Sequence, residues 1–120
     1  MGAQVGLAVA NSSGNQANVN AVATLPAAAS RTTCLASVQF TGGGATAGGL
    51  VLATITGVVG GPLSYVFGVP TGATVPAAPL VLNFDPPLVA TGVNTAIVCT
   101  LPALGAGNTN AATSASGFQI

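Results

Sequence analysis

The residues from Gly49 to Pro70, GLVLATITGVVGGPLSYVFGVP, are the most apolar run of the chain. Whether they form a helix or a hairpin decides between a membrane protein and a β protein. A run of about 20 apolar residues is long enough to cross a bilayer as a helix. Gly60-Gly61-Pro62 stands at its midpoint, however, and the flanking halves are rich in Val, Ile, Thr, Tyr and Phe, whose branched or aromatic side chains suit a pleated surface. Neither end carries the Lys or Arg that usually orients a spanning helix. In the second half Leu63, Tyr65, Phe67 and Val69 alternate with Ser64, Val66 and Gly68, so one face is apolar at strand spacing. The run is therefore read as a β-hairpin, Leu50 to Thr56 and Leu63 to Val69, closed by a Gly-rich turn.

The rest of the chain repeats this grammar. Residues 3 to 10 place Val5, Leu7 and Val9 on one side of an extended segment, and a run of Asn, Ser and Gln follows that favours turns. Asn20 to Leu25 reads as a short strand ended by Pro26. Arg31 to Thr41 alternates, with Cys34, Ala36, Val38 and Phe40 expected inward and Thr33, Ser37, Gln39 and Thr41 outward; Leu35 breaks the polar face. PTGATVPAAP, with three prolines, is a loop. Leu80 to Phe84 is a strand that Asp85-Pro86-Pro87 is expected to stop, Val93 to Leu101 is apolar on both sides in the manner of a central strand, and Ala111 to Ile120 alternates again. Eight candidate strands punctuated by Gly and Pro, with almost no helical period, predict an all-β, single-domain β-sandwich, and eight strands fit a jelly roll better than an immunoglobulin-type fold.

Composition limits what such a sandwich can do. Charged residues make up 2% of the 120, one Arg and one Asp, where ordinary soluble domains carry about a quarter. With Arg31 as the sole basic side chain there is no basic patch for phosphates, so nucleic acid is excluded as a partner by this reading. The chain has no His, no Lys and no second carboxylate to work beside Asp85, so general acid-base and nucleophilic catalysis lack their usual groups and a non-enzyme is expected. Two Cys without His make no closed metal site, and Gly42-Gly43-Gly44 and Gly60-Gly61 lack the Lys-Ser/Thr context of a phosphate loop; no cofactor is expected. A surface built of Ala, Gly, Thr, Ser and Asn with net charge near zero favours association, which predicts a homo-oligomer.

Cys34 and Cys99 lie in two predicted strands, both on the expected inward face. A bridge between them would stabilise by roughly 4 kcal/mol. MGAQVGLAVANSSG lacks the basic start and long apolar core of a secretory signal, so synthesis in the cytosol and two buried free thiols are expected instead.

The segments ATLPAAASRTTCLASVQFTGGGATAGGLVLATITGV, GGPLSYVFGVPTGAT, PLVLNF and NTAIVCTLPALGAGNTNAATSASGFQI, roughly residues 22 to 120, together resemble small structural proteins of tailed bacteriophages and prophages. The resemblance implies a virion β-sandwich, often trimeric, of the head-decoration or cement type, made in the host cytoplasm, displayed on the capsid surface and bound to the major capsid protein or another virion protein. A tail, collar or fibre-tip protein is the alternative. An ice-binding or surface-layer protein is suggested by Thr54-Ile55-Thr56, but that triplet occurs once where a flat binding face would repeat it. Residues 1–20 fall outside the resemblance and are read as an extended N-terminal arm or a first strand, ahead of a sandwich domain at 21–120. In the arm reading Val5, Leu7 and Val9 are the subunit or capsid contacts, since an extended segment can add to an exposed sheet edge.

Overall fold

The computed structural model describes residues 6–120, and within them the chain forms eight strands in two four-stranded antiparallel sheets packed as a β-sandwich. The strands are β1 (Leu7–Ser12), β2 (Ala21–Leu25), β3 (Thr33–Gly43), β4 (Gly49–Thr56), β5 (Leu63–Val69), β6 (Leu80–Val89), β7 (Ile97–Leu101) and β8 (Asn110–Gln119). The first sheet has the order β1-β8-β3-β6 and the second β2-β7-β4-β5. Four of the pairs are nested: β1 with β8, β2 with β7, β3 with β6 and β4 with β5. The chain thus doubles back once, at the β4–β5 hairpin, and each earlier strand then meets a later one. The apolar run at Gly49 to Pro70 is the hinge of the whole arrangement.

Alternation builds the core between the sheets. Ala21, Ala23 and Leu25 of β2, Ile97, Cys99 and Leu101 of β7, Ala53 and Ile55 of β4, and Phe67 and Val69 of β5 form the inner row of the second sheet. Leu35, Val38 and Phe40 of β3 with Ala111 and Ala115 of β8 face them from the first. Buried polar groups then pin the sheets together. The Thr113 hydroxyl donates to the Ala21 carbonyl across the sandwich at 3.0 Å, and the Thr33 hydroxyl and the Gln119 amide both donate to the Pro26 carbonyl, at 2.9 and 2.8 Å. Among the described residues no buried side-chain nitrogen or oxygen lacks a partner, which spares the sandwich the penalty of about 1–3 kcal/mol that each orphaned group would bring.

Two sequence expectations need correcting. The register of β3 against β8 shifts between Leu35 and Ser37, so Ala36 is an inserted residue there and the facing parity reverses; against β6 the register shifts at the same place, with the extra residues on β6. Thr33 and Leu35 point into the core before the bulge, Val38 and Phe40 after it, and Cys34 lies on the outer side, flanked in register by Val89 and Phe118. Cys34 is buried as expected, but it lies outside the hydrophobic cluster between the sheets, on the other side of β3 from where the uninterrupted alternation had it. The second correction is β6, which runs on through Asp85-Pro86-Pro87 to Val89. It is the edge strand of its sheet, where proline is tolerated because one side needs no donors. Its ladder to β3 consists of Leu80 to Asn83 and Leu88 to Val89, separated by an unpaired stretch opposite the bulge.

Residues 7–12 take the first-strand alternative, pairing along β8 from Leu7 opposite Gln119 to Ser12 opposite Ser114. Val5 lies outside the described residues.

Candidate interaction surfaces

The two outer faces of the sandwich differ in chemistry. Ala10 and Ser12 of β1, Ser114 and Ser116 of β8, Ser37 and Gln39 of β3, and Val81 and Asn83 of β6 stand side by side in register on the outside of the first sheet. It is a carpet of hydroxyls and amides, knitted by Ser37 to Ser116 at 2.8 Å and Ser114 to Ser12 at 3.4 Å. The second sheet instead turns Leu50, Leu52, Thr54 and Thr56 of β4, Ser64, Val66 and Gly68 of β5, Val98 and Thr100 of β7, and Val22 and Thr24 of β2 outward. Leu52 and Val66 are cross-strand partners, and Leu50 leans over Gly68. With Leu50 75% exposed, Leu52 53% and Val66 59%, these three make a contiguous apolar patch at the β5 side of the sheet. No charged residue lies on that face.

The clefts carry little chemistry. The best formed, about 380 Å³, lies between Gly42–Gly44, the loop at residues 73–77 and the start of β8. Asn15, Thr41 and Asn110 line it, and each is already engaged: Asn15 donates to the Thr109 carbonyl at 3.0 Å, Thr41 to the Ala112 carbonyl at 3.4 Å and Asn110 to the Thr109 hydroxyl at 3.0 Å. No family model matches the chain, and no curated protein or solved structure is significantly similar to it. The assignment of function therefore rests on the molecule's own surfaces.

Of the candidate contact residues, Leu7 is half exposed on β1, whereas Val9 turns inward and packs against the core. Both cysteines are free thiols. Burial pushes the pKa of both thiols up, that of Cys99 to about 12, so each stays a neutral thiol at physiological pH and is a poor nucleophile. Arg31 donates to the Gln119 carbonyl at 3.5 Å, at the end of the first sheet. Among the described residues no three His, Cys, Asp or Glu side chains converge to hold a metal ion, and no helix is long and apolar enough to cross a membrane. The apolar outer patch was the feature that reading the strands singly left unseen. Its signal was present in the even-numbered positions Leu50 and Leu52, which are as apolar as the inward ones.

Proposed function

We propose that this chain is a non-enzymatic structural subunit of a bacteriophage virion, a head-decoration or cement protein that binds the capsid lattice and holds it together. The observation that carries the reading is the nearly uncharged outside of the sandwich, with an apolar patch on one sheet and a hydroxyl-rich face on the other. Soluble monomers keep large apolar patches rare and use like charges to stay apart. A subunit that works packed against copies of itself and against other proteins needs neither device. The nested strand pairing supports the same reading, since β1·β8, β2·β7, β3·β6 and β4·β5 is the order an eight-stranded jelly roll would have, an architecture used in viral capsid proteins. The sequence resemblance over roughly residues 22 to 120 supplies the virion context. In this reading the protein is homo-oligomeric, trimeric by that resemblance, sits on the capsid surface after synthesis in the host cytoplasm, and takes the major capsid protein as its partner. Of the candidate contacts among the described residues, Leu7 is the one whose side chain is exposed.

Quantifying the protein in particles purified from its host tests the assignment. Hundreds of copies per particle are expected. A handful would place it in the tail, collar or fibre tip, and its absence from particles would overturn the virion reading.

A further inference from the structure

The open edge of β5 differs from the other three. Sheet edges present unpaired N–H and C=O groups, and native proteins guard them with charge, proline, bulges or cover. Here β6 carries Asp85, Pro86 and Pro87 in its middle. On the opposite side of the sandwich β1 and β2 cover one another, with the Asn11 side chain accepting from the Thr24 N–H at 2.9 Å. β5 pairs with β4 on one side only, in continuous register without a bulge, and its seven residues LSYVFGV contain no charge and no proline. Beside that edge stands the apolar patch of Leu50, Leu52 and Val66.

We propose that two copies of this chain join edge to edge through antiparallel β5–β5 pairing centred on Val66, fusing their second sheets into one eight-stranded sheet. The inference rests on the assembly reading above and adds the surface through which copies meet. The strand is self-complementary in this register. Leu63 falls opposite Val69 of the other copy, Ser64 opposite Gly68 and Tyr65 opposite Phe67, so all seven residues enter the ladder and every side chain keeps its own face. Leu63 and Tyr65, the half-buried members of the inward row, gain cover from Val69 and Phe67 of the second copy, and Tyr65 with Phe67 is an aromatic cross-strand pair of the stabilising kind. On the outside the two apolar patches meet as one. Neither strand carries a charge, so nothing repels the copies at the seam. The contact is isologous, with the same residues on both sides, and joins two subunits whether or not a three-fold contact forms elsewhere.

Cysteine placement in the full-length chain tests the register. Val66 points outward and is 59% exposed, so Val66→Cys leaves the core intact, and the native thiols at Cys34 and Cys99 are buried. Val66→Cys alone is expected to form disulfide-linked dimers under mild oxidation. Ser64→Cys and Gly68→Cys are each expected to stay monomeric on a non-reducing gel and to cross-link when mixed. Val66→Lys sets two ammonium groups face to face and is expected to weaken self-association about 100-fold in sedimentation, with an unchanged circular dichroism spectrum. Failure of Val66→Cys to cross-link above wild type, self-linking of Ser64→Cys as efficient as the mixture, or unaltered association of Val66→Lys would each overturn the proposal. So would an edge that stays unpaired between copies in solution and becomes protected only on particles, which would assign it to another virion protein. None of these outcomes alters the copy number on particles, so the seam and the virion assignment fail separately.

Discussion

Replacing Gly117 with alanine is expected to destabilise the fold by about 3 kcal/mol or more, the upper end of what an overpacked site costs. Gly117 lies on β8, opposite Leu35 and next to the bulge at Ala36. The extra residue in β3 draws the two strands so close that a Cβ at position 117 would overlap the carbonyl oxygen of Cys34 and crowd the Leu35 Cα. Both obstacles are backbone in the middle of the first sheet, between β1 and β6, so no side chain can swing away to make room. The overlap can be relieved only by parting β3 from β8, which would loosen the bonds that Thr33 and Gln119 make to the carbonyl of Pro26, just past the end of β2. Thermal unfolding monitored by circular dichroism should show the midpoint falling by about 10 °C or more. A shift within a degree or two would mean that the strands are farther apart than the bulge implies. Valine at this position should be worse than alanine.

That site also marks where sequence reasoning ran out. The hairpin at Leu50 to Val69 was legible because both halves are rich in β-branched and aromatic residues, the second alternates at strand period, and Gly60-Gly61-Pro62 interrupts any helix. Asn20 to Leu25 was legible as a strand ended by Pro26, whereas Val93 to Leu101 was read four residues too long, since β7 begins at Ile97 and only its end at Pro102 was marked. Alternation assumes that one residue always means one step to the opposite face, and the insertion at Ala36 breaks this with no signal of its own in TTCLASVQF. Leu35 was the visible anomaly, an apolar residue on the supposed polar face, and it proves to be core. The continuation of β6 past Asp85 was hidden because proline bars a central strand but not an edge, and edge position is a property of the sheet rather than of the segment. The apolar patch was hidden for a related reason. Leu50, Leu52 and Val66 sit on two strands, and their contact exists only once the register Leu52 opposite Val66 is known.

Phe40→Ala is expected to cost about 3–5 kcal/mol, a large share of the roughly 5–15 kcal/mol that holds a domain folded. Phe40 is fully buried in β3, between Thr113 of β8 and Leu80 of β6, and is one of the two largest side chains in the core. Its surroundings make the cavity hard to close. Eight of the core residues, Ala21, Ala23, Ala45, Ala53, Ala77, Ala90, Ala111 and Ala115, are alanines with no rotamer to turn into a gap, so the core has few side chains able to replace the carbons lost from Phe40. Urea denaturation should give a lower midpoint with an unchanged slope, the signature of lost stability without a change in unfolded surface. A change below about 1 kcal/mol would show that the sandwich repacks freely and that its interior is not the jigsaw described above.

The central claim is that this protein works through the uncharged outer face of its second sheet, which associates by apolar contact and strand pairing. Sedimentation velocity across a concentration series, repeated between about 0.01 and about 1 M salt, tests it most directly, because screening over that range shrinks the reach of surface charges from about 30 to about 3 Å. The account predicts association that grows with concentration and is unchanged or slightly tighter at high salt, since Arg31 and Asp85 are the only charged side chains and neither lies on the second sheet's outer face. A protein that stays monomeric throughout, or an oligomer that dissolves as salt rises, would contradict it.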